Sequence, residues 1–308
     1  MGNGNDLLQV LVERAFVYGA SIGESVDLLH YVFSIAFGQR LSQHQISNDL
    51  ASVHDGCNCF GHAHVALPGG CNFASRPIDQ HIKGFEALGA QVTVDNGCIE
   101  CKTENGVCGG QSYFDNNTVG ATINVMIAAA TAEGTTILDN AAKEPHVVDC
   151  ANFLNTCGAR ISGAGSDVIK IKGVPALHGC RYEVISDMIE AGTYMVAAAA
   201  TGGEVTLRNV IPKHMERISS KLMEMGAKIT EYDDAIRVIR TGKLRRTTVK
   251  TRPYPGFPTD MQAQVCVCMA LAGGVSKLTE SVYETRFFGY CTELENMGAN
   301  IRISGKTA

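Results

Sequence analysis

The chain has 308 residues, of which 45% are hydrophobic and 19% are charged, so we expect about two globular domains. This composition excludes disordered, collagen-like and low-complexity proteins. The formal net charge of −5 gives no overall attraction to nucleic acid, because that binding depends on Lys and Arg neutralising phosphates. We therefore expect no nucleic-acid partner.

Hydropathy gives no sign of a membrane partner. The longest early apolar run, Leu28 to Phe37, is interrupted by His30 and is shorter than the roughly 18–20 apolar residues of a membrane span. The N-terminus also lacks the basic segment of a secretory signal. We expect a cytoplasmic protein.

The chain has twelve cysteines, which suggests either disulfides, metal ligands or reduced thiols. A large chain without an export signal belongs to a reducing compartment, where cysteines are usually buried or reactive. The groups Cys57-x-Cys59, Cys98-x-x-Cys101 and Cys266-x-Cys268 lack the paired spacing of a zinc site. We predict no metal.

A repeat of about 70 residues organises the predicted elements. Four segments have helical apolar spacing that ends in Gly-Ala and continues as an alternating strand; their glycines, Gly89, Gly158, Gly226 and Gly298, are 69, 68 and 72 residues apart. Glycine adopts the left-handed conformation that commonly ends a helix. Each repeat is therefore predicted to contain a helix that ends at this glycine.

A second pattern lies half a repeat away, where an alanine-rich helix closes on small residues before a β-branched strand. It covers residues 128–138, 197–207 and 269–278 and contains Gly134, Gly203 and Gly274. Together the two patterns predict an α/β fold of repeated helix and strand pairs.

The starts of the helices are also in phase. The helices that end in Gly-Ala follow Pro77, Pro145 and Pro212. The first turn of a helix tolerates proline, because the missing N–H would have no partner within the helix. The alanine-rich helices start near Thr118, Asp187 and Thr259-Asp260. Helix N-termini collected at one end of a fold favour an anionic ligand.

Cys71 lies on a Pro-Gly-Gly loop, five residues before Arg76, which introduces a helix. A thiol near an arginine and a helix N-terminus is suited to proton or nucleophile chemistry, and the arginine to phosphate or carboxylate binding. The alternative is a buried structural cysteine and a solvated arginine.

Asp260 comes after a proline-dense segment at the start of a predicted helix. Thr259 and Gln262 have capping-box spacing, so Asp260 either favours the helix dipole or acts as a general base for a hydroxyl. Asp187 and Glu190 present the same two alternatives one repeat earlier. The basic residues from Arg240 to Arg252 predict a solvated hairpin without a site.

Four segments carry a specific resemblance: LPGGC…RPID, TVGATINVMIAAATAEGTTILDNAAKEPHVVD, VIPKHMERISSKLMEMGA and RPYPGFPTDMQAQ. They resemble the UDP-N-acetylglucosamine 1-carboxyvinyltransferase family, the enolpyruvyl transferases of peptidoglycan synthesis, over about residues 60–308. The resemblance implies transfer of an enolpyruvyl group from phosphoenolpyruvate to the 3′-hydroxyl of UDP-N-acetylglucosamine, with release of phosphate and without a cofactor.

The resemblance also implies the two-domain, inside-out α/β barrel fold, in which each domain has three βαβαββ units. Six units of about 70 residues need about 420 residues, so the fold is expected to be incomplete. We expect an unmatched segment over residues 1–59, a partial catalytic-loop domain over 60–184 and a partial second domain over 185–308.

The same resemblance implies the site residues. Cys71 matches the cysteine that protonates phosphoenolpyruvate, and Asp260 matches the aspartate that takes the hydroxyl proton. The residues that match substrate contacts are Arg76, Pro77, Ile78, Asp79, Gln80, Thr118, Val119, Gly120 and Val282.

Several positions depart from the family pattern. Residues 1–59 lack the family's amino-terminal Lys-Asn pair, Met188 stands where an arginine is usual, and Thr285 replaces an asparagine. The chain also ends before the family's last arginines. The alternative function is therefore a non-catalytic remnant that at most binds the sugar nucleotide weakly.

Overall fold

A computed structural model describes residues 61–66, 77–283, 286–287 and 289–308. These residues form two compact units. The first unit holds the described residues up to 141 together with 150–182, and the second holds 142–149 and the residues from 183 onward. Within the described ranges, no helix is both long and apolar enough to cross a bilayer.

The first unit contains two sheets. Their strands are β1 (His62–Ala66), β2 (Gln91–Asp95), β3 (Cys98–Lys102), β4 (Gln111–Tyr113), β5 (Thr135–Asp139), β6 (Arg160–Ser162) and β7 (Val168–Lys172). One sheet has the antiparallel order β1-β3-β2. The other has the order β4-β5-β7-β6, in which only the pair β4 and β5 is parallel.

Two helices lie wholly in this unit, α1 (Asp79–Ala87) and α2 (Val119–Ala130), and a third, α3 (Pro145–Thr156), belongs to it from Cys150 onward. Ten residues of α2 are buried, and eight of them are apolar; the other two, Thr122 and Asn124, make side-chain hydrogen bonds. Helices α1 and α2 pack closely at Gly84, where an added Cβ would lie 2.2 Å from Cγ2 of Val125. Glycine at this position allows the two backbones to approach.

The second unit repeats this arrangement with smaller sheets. Its helices are α4 (Met188–Thr201), α5 (Glu216–Glu224), α6 (Gln262–Ala270) and α7 (Tyr290–Asn296), with 3-10 helices at Pro212–Met215 and Thr259–Met261. Its strands are β8 (Glu204–Arg208), β9 (Lys228–Glu231), β10 (Ala235–Ile239), β11 (Thr248–Lys250) and β12 (Lys277–Thr279). The order is β8-β10-β9, antiparallel, beside a parallel pair β11-β12.

The glycine periodicity is confirmed at the ends of α1, α3, α5 and α7. Gly89, Gly158, Gly226 and Gly298 have φ values of 85°, 100°, 102° and 100°, all in the left-handed region. In the second pattern, the left-handed cap of α4 is Gly202, with φ of 77°, the residue before the periodic Gly203.

The basic segment is solvated as predicted, since Lys243, Arg245, Arg246, Lys250 and Arg252 are exposed, but the predicted hairpin is wrong. The strand after Arg240 is β11, which pairs in parallel with β12 rather than folding back on β10. Arg240 donates from Nε to the carbonyl of Ala199 and from Nη2 to that of Ala200, at 3.0 Å for the second bond. The last carbonyls of α4 need donors, which explains why this arginine packs against the helix.

Candidate active site

The sequence-predicted site residues fall into three groups. Cys71 and Arg76, and the substituted position Thr285, lie outside the described residues. The first unit contains the substrate-contact candidates Pro77 to Gln80 and Thr118 to Gly120. The second contains Asp260 and Val282. The described candidates are therefore divided between the two units.

In the first unit, Gln80 links the start of α1 to the loop after β4. Its buried carboxamide donates to Oδ2 of Asp79 at 2.7 Å and to Oδ2 of Asp115 at 3.3 Å. It also accepts from the backbone N–H of Asp115 at 2.8 Å. Lys83 donates to Asp115 at 2.8 Å, and this bond, with that from Gln80, lowers the pKa of the Asp115 carboxyl. Gln80 thus fixes the loop that precedes Thr118.

Thr118 is the residue before α2, and its backbone is extended, with φ of −135°. Its side chain makes no capping hydrogen bond with the described residues, and the first turn of α2 contains no acidic residue. The first backbone N–H groups of a helix have no partners within it, and the helix dipole is positive there. The turn from Thr118 to Gly120 is therefore suited to an anionic group.

His81 lies directly behind this turn. An added Cβ on Gly120 would lie 3.1 Å from His81 Nε2, so glycine keeps the turn compact. Burial lowers the pKa of His81 to about 4, although Asp79 opposes this effect. The ring is neutral at pH 7 and accepts a 2.9 Å hydrogen bond at Nδ1 from the amide of Asn124, which assigns the proton to Nε2.

In the second unit, the capping box predicted at Thr259 and Gln262 does not form. Neither side chain caps a described helix; both donate to Oε2 of Glu280, at 3.0 and 2.7 Å. Asp260 instead pairs with Arg286, whose Nη2 lies 2.9 Å from Oδ1. The same guanidinium donates from Nη1 to Oγ1 of Thr259 at 2.9 Å. This pairing orients the Asp260 carboxylate, whose side chain is 43% exposed.

Glu280, directly after β12, is fully buried and organises this part of the unit. Its carboxylate accepts from Thr251 Oγ1, Thr259 Oγ1, Gln262 Nε2 and the backbone N–H groups of Val282 and Tyr283, at 2.7 to 3.0 Å. We call these six residues the Glu280 network. It joins the end of β11, the 3-10 helix that carries Asp260, α6 and the turn that carries Val282.

Sequence reasoning did not find Glu280. The available signal was an acidic residue directly after the short strand Lys277–Thr279, but nothing local indicates that it is buried. Its side-chain partners are 18 to 29 residues away in the chain. Only the folded structure brings them together.

Four carboxylates of the second unit act electrostatically on His146. Burial lowers the pKa of His146, while the negative charges of Glu144, Asp260, Asp187 and Asp149 oppose this shift. The same chain segment contributes Glu144, whose Oε1 accepts from the backbone N–H of Tyr254 at 3.2 Å. The charge of Asp260 therefore acts on His146, which in turn acts on a second imidazole, His214, and the sequence analysis did not anticipate these interactions.

Asp187 is the N-cap of α4, which confirms the structural alternative for this residue. Its Oδ1 accepts from the backbone N–H groups of Ile189 and Glu190 at 2.7 and 3.3 Å. Burial and the nearby Asp187 raise the pKa of the Glu190 carboxyl. Asp187 Oδ2 and Glu144 Oε2 are buried without a hydrogen-bond partner among the described residues. Such oxygens mark positions where a donor from a ligand would be favourable.

Similarity to solved structures defines the class of fold. The enolpyruvyl transferase NikO from Streptomyces tendae superposes with a TM-score of 0.72 at 21% identity, covering 84% of this chain and 62% of NikO. EPSP synthase from Acinetobacter baumannii gives a TM-score of 0.58 at 22% identity, covering 79% and 58%. The fold is that of the enolpyruvyl transferases, as predicted, and it is incomplete.

The family is also defined by sequence. Residues 55–308 match the EPSP synthase (3-phosphoshikimate 1-carboxyvinyltransferase) family, and the chain belongs to this family. It is 59% identical over 249 residues to UDP-N-acetylglucosamine 1-carboxyvinyltransferase 3 of Caldanaerobacter subterraneus subsp. tengcongensis. Over the same length it is 55% identical to UDP-N-acetylglucosamine 1-carboxyvinyltransferase of Clostridium botulinum. The predicted resemblance is confirmed.

These matches cover 81% of this chain but only 59% of either relative. The chain therefore spans about three fifths of the length of the curated relatives that it matches.

Proposed function

We propose that the chain acts as a UDP-N-acetylglucosamine 1-carboxyvinyltransferase, transferring an enolpyruvyl group from phosphoenolpyruvate to the sugar 3′-hydroxyl in the first committed step of peptidoglycan synthesis. The observation that carries the proposal is the 59% identity over 249 residues to a relative of that name. The oriented carboxylate of Asp260 supports it, because addition of a hydroxyl requires a base.

In this proposal Asp260 takes the proton of the 3′-hydroxyl as its oxygen bonds to the enol carbon of phosphoenolpyruvate. Cys71 donates a proton to the methylene carbon, and the resulting tetrahedral adduct then loses that carbon's proton and phosphate. Arg286 has the role of holding the carboxylate toward the substrate. A fixed carboxylate avoids the reorganisation that a mobile base would require.

Substrate binding is assigned to the remaining candidates. Thr118, Val119 and Gly120 would bind the diphosphate through the N-terminus of α2, for which the lack of an acidic residue in the first helical turn is favourable. The residues proposed to contact the sugar nucleotide are Arg76, Pro77, Ile78, Asp79, Gln80 and Val282. No metal or further cofactor takes part in the proposed reaction, and we expect it to occur in the cytoplasm.

Phosphate release with both substrates tests the proposal. We expect release above background, a fall of about 10²–10⁴-fold in Asp260→Asn, and a comparable loss in Cys71→Ser. Asp95→Asn is the matched control, because Asp95 is an exposed aspartate on β2, and it should keep full activity.

Thermal unfolding with UDP-N-acetylglucosamine separates the two functions. Background phosphate release from every variant, combined with a rise in Tm on adding the nucleotide, would replace the transferase with the non-catalytic binding protein. Background release without any change in Tm would contradict both.

A further inference from the structure

Two thiols outside the proposed active site lie side by side in the first unit. Cys157 comes directly after α3, and Cys180 lies in the segment that leads from β7 towards Asp187. Their sulfur atoms are 3.4 Å apart. Cys157 is buried, whereas Cys180 is half-buried and can be reached from solvent.

Independent contacts on both sides of Cys180 hold these thiols together. The backbone N–H of His178 donates to the carbonyl of Cys157 at 2.8 Å. Two residues after Cys180, the ring of Tyr182 packs edge to face on Phe153, with centroids 5.4 Å apart. A disulfide has an S–S distance of about 2.05 Å, so small side-chain rotations would close the remaining gap.

We propose that Cys157 and Cys180 form a redox site that is oxidised to a reversible disulfide by hydroperoxides. The Cys180 thiolate attacks one peroxide oxygen, the O–O bond breaks, and hydroxide leaves with the bonding pair, giving a sulfenic acid. The sulfur of Cys157 then attacks the Cys180 sulfur. The S–S bond forms, water leaves, and two thiols and one hydrogen peroxide have become one disulfide and two waters.

Burial decides the order of these steps. It raises the pKa of Cys157 to about 12, together with the neighbouring Cys180 thiol, so Cys157 is not the initial nucleophile. Cys180 has the access to solvent that attack on a peroxide requires. Cys157 lies within contact distance to resolve the sulfenic acid before further oxidation.

Other cysteines provide internal controls. Cys266 and Cys291 also interact with each other through their side chains, but both are buried. Cys98 is half-buried and Cys108 is exposed, so these two thiols are controls for access to solvent. If the reaction needs both access to solvent and a neighbouring thiol, peroxide should crosslink Cys157 to Cys180 and should not crosslink the cysteines of either control group.

The test uses the full chain, treated with hydrogen peroxide, alkylated, digested with trypsin and analysed by mass spectrometry. Trypsin cuts after Arg160, Lys170 and Lys172, which places Cys157 and Cys180 on different peptides. The chain has twelve cysteines, so the new bond has to be mapped by peptide rather than by counting free thiols. We expect a Cys157–Cys180 crosslink that dithiothreitol removes.

Single variants assign the two roles. Cys157→Ser should leave Cys180 as a sulfenic acid that dimedone traps. Because Cys150 shares the tryptic peptide of Cys157, loss of the crosslink in this variant also shows that Cys150 is not the partner of Cys180. Cys180→Ser should leave Cys157 as a free thiol after peroxide. The disulfide should raise Tm by about 5 °C, because it closes a loop in the unfolded chain.

Three results would overturn the proposal. They are a Cys157–Cys180 crosslink no more abundant than crosslinks of Cys98 or Cys108, equal alkylation of Cys157 and Cys180 before and after peroxide, and unchanged oxidation of Cys157 in Cys180→Ser. Each readout is independent of phosphate release, so the outcome does not depend on the proposed transferase activity.

Discussion

The start of α2 and the turn that precedes α6 occupy the same phase of the repeat but have different chemistry. At Thr118 the side chain makes no cap with the described residues, and backbone N–H groups are the main polar feature. At Thr259 and Asp260 the side chains bind Glu280 and Arg286. One backbone plan therefore provides a helix start with free side-chain access to its backbone N–H groups in one unit, which we propose binds an anion, and an oriented carboxylate in the other.

The difference arises from the side chains that surround each helix start. Gly120 and the neutral His81 keep the first turn compact and free of negative charge. In the second unit, a buried glutamate from the end of β12 draws the hydroxyl of Thr259 away from the helix. Changes to these residues should therefore affect the two helix starts to different extents.

The largest expected effect is that of Glu280→Ala. It removes the acceptor of five hydrogen bonds in the Glu280 network, and we expect the free energy of unfolding of the second unit to fall by about 3–5 kcal/mol. Urea unfolding measures this. Glu280→Gln should lower the free energy of unfolding by less, because the amide oxygen still accepts hydrogen bonds.

Glu204→Ala is the control for this change. Glu204 is exposed on β8 and pairs with Arg237, so its loss should cost less than about 1 kcal/mol. If Glu280→Ala were as mild as Glu204→Ala, the Glu280 network would not be what stabilises the Asp260 turn.

His81 gives the first unit a dependence on pH. Because its folded pKa is about 4 and its ordinary value is 6.5, the unfolded chain binds a proton first as pH falls. The free energy of unfolding should decrease between pH 6.5 and 4, by up to about 3 kcal/mol. The substitution His81→Gln should remove this part of the pH dependence, which denaturant titrations at each pH measure.

His64→Gln, an exposed position on β1, should follow the wild-type pH curve. A His81→Gln curve with the wild-type slope between pH 4 and 6.5 would show that burial does not suppress protonation of this ring.

Gly192→Ala tests how tightly the Asp260 turn packs on α4. The new Cβ would lie 2.8 Å from Cδ1 of Ile218 and 3.0 Å from Sδ of Met261, and overpacking of this kind costs about 1–3 kcal/mol. Thermal unfolding measures the loss. Gly242→Ala is the control, since an added Cβ there contacts nothing within 4 Å, and a loss as large as that of Gly192→Ala would argue against steric packing.

The smallest expected effects on stability come from substituting the threonine at each helix start, Thr259 and Thr118. Thr259→Ala removes hydrogen bonds to Glu280 and Arg286 and should cost about 1–2 kcal/mol. Thr118→Ala should change stability by less than about 0.5 kcal/mol, because no cap is lost. Equal losses, measured by urea unfolding, would show that the two helix starts do not differ in their side-chain contacts.

Local sequence predicted the repeat and most of the helix ends. A left-handed helix end depends on one residue, so Gly89 and Gly226 could be identified from spacing alone. Pro145 and Pro212 were likewise found at the starts of helical segments, as predicted. The family could be recognised from long motifs, whereas the roles of Cys71 and Asp260 are still predictions.

Features that depend on neighbouring residues, namely the period, the helix ends and the family, could thus be predicted from the amino-acid order. The partners of polar side chains could not, because donors and acceptors tens of residues apart compete for each one. Thr259 has the spacing of a capping residue, yet it binds Glu280, and Arg240 binds the end of α4 rather than solvent. These partners depend on burial, because a buried carboxylate or carbonyl that lacks a hydrogen-bond donor costs more free energy than a missing local cap.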